Sequence, residues 1–447
     1  MNYVGTARPI HDAKGKATGY TKYAGDLSLP NMAYLCMLHS KIPHGYVKAV
    51  HAEKALALPG VYGVYHCLNT SERKYNRYRS SFDQAYLANE ERAFNQYVRF
   101  VGDKIGAVAA CDQETAEKAA RLVEVEYEEL PFSIGFDDTF AGKNCLDGET
   151  PVRDEYTLEV GKKQESTEGL IEVCSTMELP RLHHATMETH ACIADYDPYI
   201  DMLTVYCPNQ AVHGIRTVLA DFLEMPESHV RVVKATMGGS FGAKQEWFLE
   251  PVTALVAKKL CRPVKLVYSR GEAMTDTIVR GAMRMSTRGY YTPDGEMKKI
   301  YCDVTLDAGA YIGNAGDYVR ALAGKPTRCY RIPYMHYHGQ VISSNSPVSG
   351  AFRSWSAAEE ALMMERQLDA AAEKLGMDRL AIRLKNVARS GEEDKKLHLS
   401  LEDIRIGDAI TLGSEKFGWD KLKAEDAAFN ASQQRYRRGV GIGIGGH

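Results

Sequence analysis

The sequence predicts an α+β protein of two domains. Three observations carry that expectation: the length, a polar break about a third of the way along, and short apolar runs on both sides that alternate between strand and helix periods. A chain of 447 residues with 45% hydrophobic side chains exceeds one core, because single cores stop growing near roughly 250–300 residues. In the first segment, residues 1–135, Gly15-Lys16-Ala17-Thr18-Gly19 and Leu29-Pro30-Asn31 mark turns between short apolar runs. Lys104 to Ala110 reads as a buried strand, Asp112 as an N-cap and Glu114 to Leu122 as a short alanine-rich helix. In Glu124-Val125-Glu126-Tyr127-Glu128 acids alternate with apolar residues, the pattern of a half-buried edge strand, and this strand closes the domain.

From 136 to 168 the chain turns polar (Phe136-Asp137-Asp138-Thr139, then Gly161-Lys162-Lys163-Gln164-Glu165) and offers little apolar surface to offset ordering entropy, so a linker is expected. The second domain, 169–447, opens on strands such as Met202 to Tyr206. A helix is expected over Gln210 to Leu223, where Val212, Ile215, Val218, Leu219 and Phe222 share one face. Ala357 to Leu375 is helix-compatible and meets a natural stop at Gly376. Arg438 to His447 reads as a strand that simply stops, with its continuation expected on another polypeptide or further reading frame.

The formal charge of −3 from 55 basic and 58 acidic side chains gives no electrostatic reason to expect nucleic acid or an anionic membrane as partner. No apolar run approaches the roughly 20 residues that span a bilayer, and Met1 to Gly5 lacks a leader pattern, so a cytoplasmic protein is expected. Ten cysteines are scattered singly from Cys36 to Cys329 without a C-x-x-C pair, the pattern of reduced structural thiols rather than of a zinc or iron–sulfur site.

The sharpest local feature is Val230 to Ala235 followed by Gly238-Gly239-Ser240-Phe241-Gly242-Ala243-Lys244-Gln245 and an amphipathic stretch with Leu249, Val252, Leu255 and Val256. Strand, glycine loop and helix bring backbone N–H groups close to a polar ligand, since glycine lacks the Cβ that blocks approach; the same glycines would also serve a tight turn. Ala243 and Gln245 stand where a Walker A loop needs Gly and Ser or Thr, so that reading fails. Gly441 to Gly446 matches G-x-G-x-x-G but precedes no helix. His336 with His338, and His183, His184 and His190, lack metal-ligand spacing and read as structural histidines. No activated nucleophile is present in a recognisable context.

The order of motifs resembles the molybdopterin-binding subunits of the xanthine dehydrogenase and aldehyde oxidase family over residues 10 to 447. Lys16-Ala17-Thr18-Gly19, Ile42-Pro43-His44, Leu58-Pro59-Gly60-Val61, Val101-Gly102-Asp103 and Val125 to Pro131 are similar to that family's a/b hammerhead domain. Met187-Glu188-Thr189-His190, Pro208-Asn209-Gln210, Gly238 to Gln245, Asp307 to Tyr311 and Gly350-Ala351-Phe352-Arg353 follow in the order of the first half of its molybdopterin-binding region. The resemblance implies molybdopterin, in its cytosine dinucleotide form, carrying molybdenum with a terminal sulfido or selenido ligand. Gln210, Gly239, Ser240, Phe241, Gly242 and Arg353 would contact the cofactor, and Gln245, Arg320 and Trp355 would bind a small planar substrate.

It further implies that the family's catalytic glutamate lies on a second molybdopterin-binding chain, with FAD and [2Fe–2S] clusters on two more partner subunits. The implied activity is hydroxylation of a planar heterocycle such as a purine or nicotinate-like ring. Alternatives are aldehyde oxidation and reductive dehydroxylation of an aromatic CoA thioester, as in hydroxybenzoyl-CoA reductase. Departures bear on the substrate: Gln245 stands where purine oxidisers often carry Glu, Ser240 replaces a glycine, and Ser354-Trp355-Ser356 replaces Gly-Phe-Gly after the arginine. Since serine does not adopt positive φ cheaply, that last loop is expected to change shape.

Overall fold

The computed structural model describes residues 4–78, 89–142, 146, 150–163, 166–432 and 435–446. Gln164 and Glu165 of the expected linker, and His447, lie outside these residues. Two large sheets organise the chain. The first has seven strands in the order Val230–Lys234, Met202–Cys207, Ala191–Asp197, Val264–Val267, Ala33–His39, Lys104–Ala110 and Val61–His66. Its centre is a parallel pairing of Ala33–His39 with Val264–Val267, so strands from both expected domains build one sheet.

The local reasons follow the sequence. Lys104–Ala110 is buried along its whole length, and Asp112 caps the next helix, Gln113–Ala120, by accepting from the Thr115 N–H at 2.7 Å. Among the described residues Glu124–Glu129 pairs only with Gly45–His51 at the edge of a small sheet, its acids outward. Val212–Phe222 buries Ile215, Val218, Leu219 and Phe222 against the seven-stranded sheet. Ala357–Leu375 ends at Gly376 with φ +65°, the left-handed stop that glycine adopts freely.

Two readings are corrected. The span 136–168 contains a short helix, Phe136–Phe140, and a ten-residue strand, Val152–Gly161. That strand forms one edge of a five-stranded sheet, antiparallel to Tyr334–Ser343. Its polar composition reflects a single buried face: Tyr156, Leu158 and Val160 pack on the core while Glu155, Thr157 and Glu159 are exposed. The run 438–446 is irregular rather than a strand. It makes no sheet pairing among the described residues, although Ile442 and Ile444 pack on the second core.

Candidate functional site

The site is built where the glycine loop after Val230–Lys234 meets the loop before Ala357–Leu375. Contact between them requires glycine at 242: a Cβ there would lie 2.4 Å from the Ala351 carbonyl oxygen, and φ is +103°. Four residues hold the glycine loop from behind. Lys244, 1% exposed, pairs with the Glu188 carboxylate at 2.7 Å, and the same Oε2 accepts from the Gly238 N–H at 2.6 Å. Asn209 donates to the Glu246 carbonyl at 2.8 Å. His190 Nε2 donates to the Ala243 carbonyl at 3.0 Å, and burial pushes its pKa down to about 3, so the ring is neutral.

A matching set holds the second loop. His184, pushed down to about 4 by burial, donates from Nε2 to the Ala351 carbonyl at 2.8 Å. Its ring lies 4.3 Å from that of Phe352. The Arg280 guanidinium covers Phe352 at 4.1 Å, donates to the Arg353 carbonyl at 3.1 Å and pairs with buried Glu359 at 2.8 Å. Beneath both loops, Glu246 is fully buried; burial raises its carboxyl to about 8, and Asn314 donates to its Oε1 at 2.8 Å.

On the open side stand the residues expected to face a ligand. Gln210 is tied to the glycine loop twice: its N–H donates to the Lys244 carbonyl at 2.8 Å, and its side-chain Oε1 meets the Ser240 hydroxyl. The Phe241 ring is half exposed, on a backbone with φ +54°. Gly239, also at positive φ, lies against that ring. Arg353 is exposed, and no hydrogen bond or ion pair engages its guanidinium among the described residues. Gln245, half-buried, closes the loop with an N–H to the Gly242 carbonyl at 3.1 Å.

Two expected substrate contacts fall differently. Arg320 forms a two-pronged ion pair with Asp154, one prong at 3.0 Å, and lies over the Tyr156 ring at 5.4 Å. The charge assigned to a substrate is therefore neutralised by the strand read as linker. Trp355 is partly buried, edge-to-face with Tyr318 at 5.3 Å. The loop around it is held in the left-handed region: Ser354, Trp355 and Ser356 all adopt positive φ, at +82°, +43° and +67°. Each such non-glycine residue costs about 1–2 kcal/mol.

The sequence motifs contain Glu188 and Lys244 with no role expected of them, whereas His190, expected to be structural, holds the Ala243 carbonyl. The usable signal was charge: a lysine and a glutamate must pair if buried.

Two loops from distant parts of the chain are thus braced against each other by buried polar groups within an α+β fold, with Gln210, Phe241 and Arg353 exposed on or beside them. The chain matches the a/b hammerhead domain of aldehyde oxidase and xanthine dehydrogenase over residues 18–131 and the molybdopterin cofactor-binding domain over 149–387. It belongs to the aldehyde oxidase and xanthine dehydrogenase family of molybdopterin-binding oxidoreductases, with its hammerhead-plus-cofactor-domain α+β fold.

It is 30% identical to the nicotinate dehydrogenase large molybdopterin subunit of Eubacterium barkeri, over 85% of this chain and 88% of that one. It is also 30% identical to the xanthine dehydrogenase molybdenum-binding subunit of Escherichia coli O157:H7, over 96% of this chain; the chain spans 58% of that relative's length. Among solved structures, quinoline 2-oxidoreductase from Pseudomonas putida 86 shares the fold with a TM-score of 0.88 at 23% identity, covering 96% of this chain and 56% of that one.

Proposed function

We propose that this chain is the cofactor-holding half of a multi-subunit molybdenum hydroxylase that oxidises a planar nitrogen heterocycle, with a second molybdopterin-binding chain and separate iron–sulfur and FAD subunits. The observation that carries the reading is the match to the nicotinate dehydrogenase large molybdopterin subunit over 88% of that protein's length. It supports a ring substrate and a subunit role for this chain.

The residues present fit molybdopterin. Gly242 lets two main chains approach where a Cβ would not fit, and the open side carries a neutral amide, an aromatic ring and one unpaired cation. When bound, the molybdenum cofactor supplies two-electron oxidation of carbon with oxygen drawn from water. The chain's own share is to bind and orient. Gln210 offers an amide donor without adding charge, Gly239 to Gly242 offer backbone and ring surface, and Arg353 offers a cation to the cofactor or to an anionic substrate edge. Gln245 and Trp355 remain the residues proposed to line the ring slot, with Gln245 reading polar edges as both donor and acceptor.

The test is metal analysis and turnover of the purified complex under anaerobic conditions with an artificial electron acceptor. Nicotinate, hypoxanthine, xanthine, benzaldehyde and an aromatic CoA thioester form the panel. Molybdenum near one per complex with turnover of a ring heterocycle is expected. A complex free of molybdenum, or one that turns over only benzaldehyde or the CoA thioester, refutes the reading.

A further inference from the structure

We infer that Ser240 is a positioning residue that fixes the orientation of the Gln210 amide, turning its NH2 toward the open side of the site and its carbonyl inward. Ser240 stands in the glycine loop and is 8% exposed. Its oxygen accepts the Lys244 N–H at 3.1 Å and touches Gln210 Oε1. A buried hydroxyl that already accepts must still place its own proton on an acceptor, and the Gln210 carbonyl is the acceptor within reach. With the amide reversed, its NH2 would face the hydroxyl and the hydroxyl proton would have no acceptor. One unmade buried hydrogen bond disfavours that orientation about tenfold or more.

The anchor is rigid because both partners hang on one residue. Lys244 donates its N–H to Ser240 and accepts the Gln210 N–H at 2.8 Å through its carbonyl, while its side chain is locked to Glu188. Gln210 Nε2 is left as the outward donor, with no partner among the described residues. Serine at 240 therefore does what a glycine there could not. It makes the amide a donor before any ligand arrives, so no reorientation is needed on binding.

The role of Gln210 toward the cofactor rests on the proposed function; the amide orientation does not. The experiment uses the purified complex as wild type, Ser240→Ala and Ser240→Thr. Neutron crystal structures, which tell the amide nitrogen from its oxygen, are expected to show one Gln210 amide orientation in the wild type and in Ser240→Thr, and a reversed or mixed one in Ser240→Ala. The same single amide orientation in the alanine variant overturns the proposal whether or not molybdenum is present. In the molybdenum-loaded complex, Ser240→Ala is expected to lower kcat about tenfold with KM unchanged, and to alter the electron paramagnetic resonance signal of Mo(V), both restored by Ser240→Thr. Wild-type kcat and signal in fully loaded Ser240→Ala also overturn it. A wild-type complex lacking molybdenum refutes the proposed function alone, and the crystallographic comparison still decides the role of Ser240.

Discussion

Ser356→Gly is expected to stabilise the protein. Ser356 precedes helix Ala357–Leu375 with φ +67°. It is fully buried, and its hydroxyl has no hydrogen-bond partner. The left-handed backbone costs a residue with a Cβ about 1–2 kcal/mol, and an unpaired buried hydroxyl costs about 1–3 kcal/mol. Glycine relieves both. Against this stand the extra freedom of glycine in the unfolded chain, about 0.5–1 kcal/mol, and a small void worth about 1 kcal/mol. The balance favours glycine by about 2 kcal/mol, or a rise in Tm of about 2 °C for a chain of this size. Ser356→Ala separates the two gains, since it removes the hydroxyl but keeps the Cβ at positive φ, and it should fall below Ser356→Gly by about 1 kcal/mol. Ser354→Gly should be near neutral, because the Ser354 hydroxyl accepts the Ala358 N–H at 3.2 Å and that bond would be lost. Scanning calorimetry of the three variants decides the matter. A glycine variant no more stable than the alanine one refutes the strain argument.

Gly242→Ala should separate the two site loops, because its Cβ would sit 2.4 Å from the Ala351 oxygen at φ +103°; the expected outcome is loss of bound molybdenum, read by metal analysis, from protein that still folds. Glu188→Ala strands the buried Lys244 ammonium and should cost about 3–5 kcal/mol, measured by urea unfolding, whereas replacing the pair together with Lys244→Met should recover much of that loss. Glu246 predicts a pH effect: its folded pKa is raised from 4.5 to about 8 by burial, so the folded state holds a proton that the unfolded chain releases. Its contribution is full below pH 4.5 and is lost as pH rises through 8. Glu246→Gln should thus gain about 1 kcal/mol or more on wild type at pH 8.5 and little at pH 5; equal effects at both would contradict the assignment. Arg353→Ala should lower kcat/KM by about a hundredfold or more in a complex that keeps its molybdenum, and full activity would remove Arg353 from the site.

Much of the fold was legible because its elements carry local signals. The Asp112 cap, the buried run Lys104–Ala110, the outward acids of Glu124–Glu129 and the stop at Gly376 each depend on neighbours within a few residues. Val152–Gly161 was misread because apolar content alone was weighed there. Its period-2 alternation of Tyr156, Leu158 and Val160 was the available signal, and an edge strand with one wet face needs no more apolar residues than that. The opposite error occurred at 438–446, where Val440, Ile442 and Ile444 alternate correctly but no sheet edge lies beside them among the described residues. Alternation specifies a strand only when a partner edge exists.

The site was less legible, since its geometry depends on pairs far apart in sequence. Arg320 shows the limit of motif order: it was placed by resemblance, yet its partner Asp154 lies in a segment with no expected structure, and two-pronged pairing with that carboxylate decides its orientation. Lys104 shows the same limit in the core. It was read correctly as part of a buried strand, but a buried ammonium requires counter-charges, and these come from Glu91 at 3.3 Å and Asp276 at 3.6 Å. Glu91 also binds Arg77, whose charge lies close enough to pull the Glu246 carboxyl down, although burial outweighs it and leaves Glu246 neutral below the two loops. The ion cluster thus runs from the sheet shared by both halves of the chain to the underside of the site. Removing one member strands the others, which costs far more than the intact pairs contribute. The placement of the two loops themselves rests on the close approach at Gly242 and on the His184 and His190 hydrogen bonds to Ala351 and Ala243, partners far apart in sequence that no one motif contains.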